Sequence, residues 1–382
     1  SSVQRQLQGQ VAHVYATESA FAAVKADGSV VTWGLPDCGG DSSAVRCELQ
    51  GQIGRIYSSQ SAFAAVKVDG AVVTWGLPDW GGDSSSVQHL LRGQRTRIYS
   101  ADFAFAAVKA DGAVVTWGLP DRGGDSSAVQ HQLQRQVTHV CSTRLAFAAV
   151  RGDGAVVTWG SPDHGGDSSS VQRQLRGQIV HICSTQSAFA AVKAGGAVVT
   201  WGHADHGGDS SSVQRQLQGQ VAHVYATESA FAAVKADGSV VTWGLPDCGG
   251  DSSAVRCELQ GQIGRIYSSQ SAFAAVKVDG AVVTWGLPDW GGDSSSVQHL
   301  LRGQRTRIYS ADFAFAAVKA DGAVVTWGLP DRGGDSSAVQ HQLQRQVTHV
   351  CSTRLAFAAV RGDGAVVTWG SPDHGGDSSS VQ

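Results

Sequence analysis

The chain has 382 residues, of which 42% are hydrophobic and 16% charged, and its formal net charge is −3. This composition excludes an intrinsically disordered polyampholyte, which combines low hydrophobicity with high net charge. The nearly balanced charge gives no overall attraction to nucleic acid or acidic membranes, and no apolar run of 18 residues is present that could form a transmembrane helix.

A repeat of 42 residues organises the whole sequence. Each repeat contains the segment VVTWG, whose tryptophans recur at 42-residue intervals from Trp33 to Trp369. Repeats of this length are typical of proteins in which neighbouring units shield each other's hydrophobic surface. The nine repeats are 1–42, 43–84, 85–126, 127–168, 169–210, 211–252, 253–294, 295–336 and 337–378, and residues 379–382 start a tenth.

A larger repetition lies above the 42-residue one. Residues 211–382 are identical to residues 1–172, an offset of 210 residues or five repeats, although the five repeats of residues 1–210 differ from one another at many positions. Gradual divergence would blur such identity, which indicates a recent, homogenised or engineered duplication. We expect this chain to be a segment of a longer repetitive chain, with an excised or designed piece of chosen length as the alternative. The sequence assigns no cellular compartment.

Three strands are predicted in the first repeat, in chain order. VAHVYAT forms the first strand, and the short polar segment after it makes this strand antiparallel to the second, AFAAVKA. An Asp27-Gly28 pair then leads to the third strand, SVVTWG. A two-residue Asp-Gly link between β-prone runs is typical of a hairpin with a type I′ turn.

Pairing outward from this turn predicts which residues face each other in the hairpin. It places Val24 opposite Val31 and Ala22 opposite Trp33. Both faces then carry apolar or small residues near the tryptophan, so we expect the sheet to be covered on both sides.

The link to the next repeat is predicted to contain a short helix. The Pro and Gly-Gly residues of GLPDCGGDSS are typical of turns. Asp41 or Ser43 can cap a helix of one or two turns that follows, in which Val45 and Leu49 share one face.

Each repeat is therefore expected to be a three-stranded antiparallel blade with a short linking helix, giving an all-β chain. The hairpins argue against a parallel β-solenoid, whereas radial stacking of blades gives a β-propeller with only short, protected edges. The residues SAFAAVKADGSVVTWG followed by GGDSS resemble the repeat of the regulator of chromosome condensation family. They are more similar still to the short three-stranded blades of the family of the second beta-lactamase inhibitor protein.

The resemblance covers all nine repeats and implies a β-propeller that acts as a protein-interaction scaffold. Two features depart from the family. The GGDSSxVQxQL link differs from the family's usual Gly-Gln-Leu-Gly-like link, and family propellers usually have seven blades. An open propeller-like spiral, with five repeats as its building block, is therefore the rival to a closed ring.

No catalytic or cofactor-binding constellation is visible in the sequence. Nucleophile-elbow, P-loop, zinc-protease and C-x-x-C motifs are absent, and we predict a protein without enzymatic activity or cofactor. The recurring D-x-G-G-D motif, Asp37 and Asp41 in the first repeat, offers carboxylates to a cation such as calcium. It lacks the alternating oxygen ligands of a calcium loop, so turn and helix-cap roles are expected and no metal site is predicted.

One position in the first strand is always basic or imidazole. If this strand is innermost, as in the family, these side chains form a ring that can hold an anion or an acidic partner segment, more strongly where histidine becomes charged. A solvated edge position that tolerates polar residues is the alternative. The residues are His13, Arg55, Arg97, His139, His181, His223, Arg265, Arg307 and His349.

The most diversified position is the tip of the link. Exposed Trp and Arg on loops of a rigid scaffold are typical of recognition surfaces, and drift at an unconstrained tip predicts the same variety. We take this position as the candidate contact surface. The tip residues are Cys38, Trp80, Arg122, His164, His206, Cys248, Trp290, Arg332 and His374.

Two further sets of residues have expected structural roles. A basic column near the hairpin tips (Lys25, Lys67, Lys109, Arg151 and Lys193) is expected to discourage edge pairing of strands. Among the seven cysteines, Cys38 and Cys47 share one link and can meet across its helix. Cys141 and Cys183 occupy one first-strand position in adjacent repeats, where a small apolar role is expected.

Two functions compete at this point. The first is a non-enzymatic protein-interaction scaffold, which the family resemblance implies and the varied link tips favour. The second is a structural segment of a long repetitive chain that forms a fibre or coat, which the exact copying of 172 residues at an offset of 210 favours. The expected partners are other proteins or copies of the chain itself, including a polymer, with no nucleic acid and no membrane insertion.

Overall fold

Nine three-stranded antiparallel sheets make up the described part of the chain, and strand order in each sheet follows the sequence. We number them sheets 1 to 9. The chain divides into two compact units, one of Ser1–Phe189 with Trp201–His203 and one of Ala190–Thr200 with Ala204–Gln382. The computed structural model describes residues 11–91, 96–301, 306–344, 346–374 and 376–377.

The strands recur with nearly constant bounds. The first strands are Val11–Ala16, Ile53–Ser58, Arg97–Ser100, Val137–Ser142, Ile179–Ser184, Val221–Ala226, Ile263–Ser268, Arg307–Ser310 and Val347–Ser352. The second strands are Ala20–Lys25, Ala62–Lys67, Ala104–Val108, Ala146–Arg151, Ala188–Lys193, Ala230–Lys235, Ala272–Lys277, Ala314–Val318 and Ala356–Arg361. The third strands are Val30–Gly34, Val72–Gly76, Val114–Gly118, Val156–Gly160, Val198–Gly202, Val240–Gly244, Val282–Gly286, Val324–Gly328 and Val366–Gly370.

The hairpin between the second and third strands forms as predicted, but its register differs by one residue. In sheet 1, Ala22 pairs with Thr32 and Phe21 pairs with Trp33. The predicted pairing of Ala22 with Trp33 is therefore wrong. The two large rings lie on one face, where their centroids are 5.3 Å apart.

The cause of the shift is a three-residue loop in place of the two-residue turn. Gly28 donates its N–H to the Lys25 carbonyl, and Lys25 donates its N–H to the Ser29 carbonyl, each at 2.9 Å. Gly28 has a left-handed φ of 83°, and Asp27 Oδ1 accepts the Ser29 N–H at 2.9 Å. This is the geometry of a type I turn followed by a glycine bulge.

The hydrophobic core lies between consecutive sheets. Sheet 1 packs Ala20, Ala22 and Val24 against Phe63 and Trp75 of sheet 2. The same packing recurs between sheets 2 and 3 and sheets 3 and 4 of the first unit. In the second unit the same packing occurs between sheets 6 and 7, sheets 7 and 8, and sheets 8 and 9. Blades that pack face to face in this way are typical of propeller folds, so the all-β, propeller-like class is confirmed.

A hydrogen bond between the tryptophan of a sheet and the preceding link reinforces this packing. Trp75 Nε1 donates to the carbonyl of Gly39 in the preceding link at 3.1 Å, and its ring stacks on Phe63 at 5.1 Å. A Cβ on Gly39 would lie 2.5 Å from Phe63 Cδ2. The position therefore needs glycine, both for space and for its φ of 98°. We call this contact the tryptophan joint, and it recurs at Trp117, Trp159, Trp201, Trp243, Trp285, Trp327 and Trp369.

The links contain short 3₁₀ helices. Asp41 Oδ1 accepts the Ser43 N–H at 2.8 Å, and this bond lowers the pKa of Asp41. The N-cap residue is Ser42, whose side chain makes no capping hydrogen bond, so the predicted cap by Asp41 or Ser43 is wrong. Leu49 is buried between sheets 1 and 2 with Val45 packed against the same cluster, as predicted.

Among the described residues, no helix has the length and hydropathy needed to cross a bilayer. The first 3₁₀ helices are Pro36–Cys38, Pro78–Trp80, Pro120–Arg122, Pro162–His164, Ala204–His206, Pro246–Cys248, Pro288–Trp290, Pro330–Arg332 and Pro372–His374. The second ones are Ser43–Val45, Ser127–Gln132, Ser169–Val171, Ser211–Val213, Ser253–Val255 and Ser337–Gln342.

Candidate interaction surface

A β-bulge in the first strand turns its basic residue away from the core. In sheet 4 the pairing register shifts between Val137 and His139. As a result, Val137 and Val140 are both buried, while Thr138 and His139 between them are exposed. A regular strand alternates its side chains and would send His139 to the same side as Val137. The same shift occurs in sheets 1, 2, 6, 7 and 9.

All nine basic residues predicted at this position are exposed on the first strands. Consecutive first strands are neighbours, because Ser142 Oγ donates to the Ser100 carbonyl at 2.7 Å and Ser184 Oγ donates to the Ser142 carbonyl at 2.6 Å. We call the aligned residues the cationic row. Its first-unit members are His13, Arg55, Arg97, His139 and His181, and its second-unit members are His223, Arg265, Arg307 and His349.

Aromatic rings support several side chains of the row. The Arg55 guanidinium lies 5.2 Å from the centre of the Tyr57 ring, and Arg265 lies 5.1 Å from that of Tyr267. His139 meets the Tyr99 ring of the preceding sheet edge-on at 5.9 Å. Cation–π contact of this kind restricts a guanidinium while leaving its N–H donors available.

The charges of the row act on one another. The pKa of His139 is lowered from its ordinary value of 6.5, first by partial desolvation, then by repulsion from His181 and Arg97. These two residues belong to the sheets on either side, so one module spacing is short enough for the charges to interact. The arginines carry the positive charge of the row at neutral pH.

A second line of contacts runs beside the row, through the turn after each first strand. Gln60 donates its backbone N–H to the carbonyl of Asp102 at 3.1 Å, and Asp102 donates its own to Arg144 at 2.9 Å. The side chains follow the same order, because Gln60 Nε2 and Arg144 Nε both donate to Asp102 Oδ2. We call this contact the turn ladder, and the second unit repeats it through Gln270, Asp312 and Arg354.

Sequence reasoning missed the turn ladder, although a signal was present. The position varies between acidic, basic and amide residues, and Asp102 is followed 42 residues later by Arg144. Opposite charges at one position of adjacent repeats are the pattern that a ladder between modules requires.

The link tips are half-buried rather than projecting, except for His374, which is exposed. Trp80 meets the Phe103 ring of the next sheet edge-on at 4.3 Å, and Trp290 meets Phe313 at 4.4 Å. Cys248 Sγ donates to Ser271 Oγ at 3.4 Å. These three tips therefore contact a residue of the next repeat.

The remaining candidate groups have structural partners. In the hairpin column, Arg151 pairs with Asp153 of its own turn at 3.1 Å, and Lys67 Nζ donates to the Glu48 carbonyl at 3.2 Å. All seven cysteines are free, so Cys38 and Cys47 form no disulfide.

The cysteines Cys141 and Cys183 of adjacent first strands are half-buried, and Cys141 Sγ donates to Ser184 Oγ at 3.4 Å. Burial raises the pKa of Cys141, and burial followed by the nearby Cys141 raises that of Cys183 well above its ordinary value. Within the described ranges, no three His, Cys, Asp or Glu residues converge as a metal site.

Comparison with known proteins gives structural similarity alone. No family model matches the sequence, and no curated protein matches it. The structure is similar to the ectodomain of the Physcomitrella patens receptor kinase CR4, with 14% identity, a TM-score of 0.40, and 70% of this chain and 69% of that chain covered. It is similar to the computationally designed Ika8 protein, with 15% identity, a TM-score of 0.36, and 95% and 96% covered. It is also similar to Prp20p from Saccharomyces cerevisiae, with 14% identity, a TM-score of 0.37, and 84% and 72% covered.

Proposed function

We propose that the chain is a non-enzymatic scaffold that binds acidic protein segments along the cationic row. The observation that supports this most is the bulge of the first strand. In sheets 4 and 6 it turns the basic side chain outward between two buried valines, and the same register shift recurs in sheets 1, 2, 7 and 9. A bulge that redirects a side chain is typical of a functional position in a strand.

An extended acidic segment fits the chemistry of the row. Guanidinium groups bind carboxylates through paired, charge-assisted hydrogen bonds, and Tyr57 and Tyr267 already restrict two of the arginines. An exposed ion pair contributes only about 0.2–1 kcal/mol. Binding therefore needs several contacts in succession, which a row of basic groups on neighbouring strands provides.

The row is preferred over the link tips as the binding surface. Trp80 and Trp290 are half-buried against phenylalanines of the next sheet, so much of their surface is already used within the chain. The chain's net charge of −3 gives no general attraction to nucleic acid. A protein segment with clustered carboxylates is therefore the expected partner.

Binding of a fluorescent glutamate-rich peptide, measured by anisotropy, tests the proposal. A row variant changes the four arginines to glutamine, and a control variant removes the same charge from the hairpin column. We expect the row variant to bind at least about tenfold more weakly, equal to about 1.4 kcal/mol, and the control to stay within about twofold. The row variant is R55Q/R97Q/R265Q/R307Q, and the control is K25Q/K67Q/K235Q/K277Q.

If both variants bind the peptide equally weakly, binding depends only on the net charge of the protein, and the assignment to the row would be wrong. Added salt should weaken binding to the unchanged protein, because the contacts are exposed. An oligonucleotide of the same charge that binds as tightly as the peptide would contradict a protein partner.

A further inference from the structure

A cleft opens between the link that leads from sheet 2 to sheet 3 and the third strand of sheet 3. It encloses about 680 Å³. The identical sequence of the second unit forms a cleft of about 710 Å³ between the link after sheet 7 and the third strand of sheet 8. Each cleft lies wholly within one compact unit. We call the two clefts the link clefts.

An exposed leucine lines each link cleft. Leu90 is 44% exposed and its counterpart Leu300 is 43% exposed, whereas the other seven repeats carry glutamine or glutamate at this position. The next residue, Leu91, is 1% exposed and makes the contact with the core between sheets 2 and 3. Pro78 and Val87 line the cleft beside Leu90. The leucine thus extends an apolar wall that the packing of the chain does not need.

Three exposed carboxylates line the same cleft. Asp79 and Asp83 belong to the link before sheet 3, and Asp125 belongs to the link after it. Asp83 Oδ1 accepts the Ser85 N–H and Asp125 Oδ1 accepts the Ser127 N–H, each at 2.8 Å, which restricts both carboxylates. No lysine, arginine or histidine is among the described residues that line either link cleft. The apolar wall therefore has an acidic rim.

Hydrogen bonds within the chain fix the walls of the cleft. Trp117 Nε1 donates to the Gly81 carbonyl at 3.1 Å, which ties the link before sheet 3 to the third strand of that sheet. On the other side, the hydroxyls of Thr116 and Ser126 are hydrogen-bonded at 2.9 Å and hold the following link to the same strand. A cleft that is already formed loses little conformational entropy when a partner binds.

A neighbouring cleft of about 700 Å³, between sheets 3 and 4, differs from the link clefts in two ways. It has Gln132 in place of the leucine. One of its carboxylates, Asp121, already pairs with the Arg122 guanidinium at 3.4 Å. The combination of an exposed leucine with unpaired aspartates at the rim is therefore a particular property of the link clefts and does not follow from the repeat alone.

We propose that each link cleft binds an arginine of a partner protein, in a short segment where apolar residues flank the arginine. The aliphatic stem of an arginine packs on an apolar wall while its guanidinium pairs with carboxylates at the rim. The charges are complementary, since the cleft is acidic and the segment is basic. This surface and the cationic row therefore take partners of opposite charge, and the two proposals can fail separately.

Titration calorimetry of the full chain with a short peptide that carries arginine between two leucines tests the proposal. We expect two equal sites per chain, one for each link cleft. The variant L90Q/L300Q should bind at least about fivefold more weakly, because it removes the apolar wall. It should fold normally, since Gln132 occupies the same position in the repeat 127–168. The variant D79N/D289N, at exposed residues, should bind about two- to fivefold more weakly.

The control variant D69N/D279N removes the same charge from two exposed hairpin residues and should bind as the unchanged protein does. The row variant R55Q/R97Q/R265Q/R307Q should bind this peptide at least as tightly as the unchanged protein. No binding up to about 1 mM peptide would overturn the proposal. Equal weakening by D79N/D289N and by the control would also overturn it, as would equal affinity for a peptide with glutamine in place of the arginine.

Discussion

A single glycine in each link determines how closely two sheets approach. Gly123 stands against the Phe147 ring, and its carbonyl accepts the hydrogen bond of Trp159 at 3.1 Å. Its φ of 102° is one that other residues rarely adopt. The sequence identifies this Gly-Gly pair as turn chemistry. It does not show that the first glycine is packed beneath a phenylalanine 24 residues later, because that contact exists only once the next sheet has formed.

Substitution of this glycine should therefore destabilise the joint. An alanine Cβ at Gly123 would lie 2.6 Å from Phe147 Cδ2. We expect Gly123→Ala to lower the free energy of unfolding by about 2–4 kcal/mol, from left-handed strain and overpacking together. Gly195→Ala is the matched control, since its Cβ would meet no atom within 4 Å. Urea titration measures both, and equal midpoints would contradict the packing.

The lowered pKa of His139 gives a pH dependence with a definite sign. Above its ordinary value of 6.5 the imidazole is neutral in both the folded and the unfolded chain. As the pH falls below that value, the unfolded chain takes up the proton first, so stability decreases until the folded pKa has been passed. We expect His139→Gln to lose less stability than the unchanged protein between pH 7.5 and pH 5, measured by thermal melts. A larger loss in the variant would contradict desolvation and repulsion by His181 and Arg97 as the causes.

At the scale of elements, the periodicity and turn residues predict all three strands of a module and the hairpin between two of them. The register is missed by one residue, because Asp27 and Gly28 fit both a two-residue turn and a three-residue loop. The bulge before His139 is also missed, because it is set by pairing between strands and leaves no turn residue in the sequence. The identity of the basic row could be predicted from sequence, but its outward direction could not.

The link tip and the next sheet form a coupled pair of elements. Trp80 faces Phe103, and the corresponding residues of the first link and sheet 2 are Cys38 and Ser61. We expect Trp80→Cys and Phe103→Ser each to destabilise the protein by about 1–3 kcal/mol. The double variant recreates the chain's own Cys–Ser combination.

The loss in free energy of unfolding in the double variant should therefore be smaller than the sum of the two single losses, by about 0.5–1.5 kcal/mol. A double-mutant cycle in urea measures this coupling. Strict additivity would mean that the two rings vary independently.

At the scale of the whole molecule, the 42-residue period predicts one sheet per repeat and burial by neighbours. The identical copies within the chain add an internal comparison that few proteins offer. The same phenylalanine is fully buried in sheet 6 and nearly half exposed in sheet 1. Local sequence therefore determines the blade, while the degree of burial is determined by what stands beside it.

The tryptophan joints link residues 36 positions apart, and the turn ladder links residues 42 apart. These two kinds of hydrogen bond between modules thus close within one period of the chain. During synthesis, a sheet can be fixed as soon as its successor has left the ribosome, without waiting for a distant partner. At about 5–20 residues per second, each new module emerges in roughly 2–8 s. Folding can then advance along the nascent chain at the pace of translation.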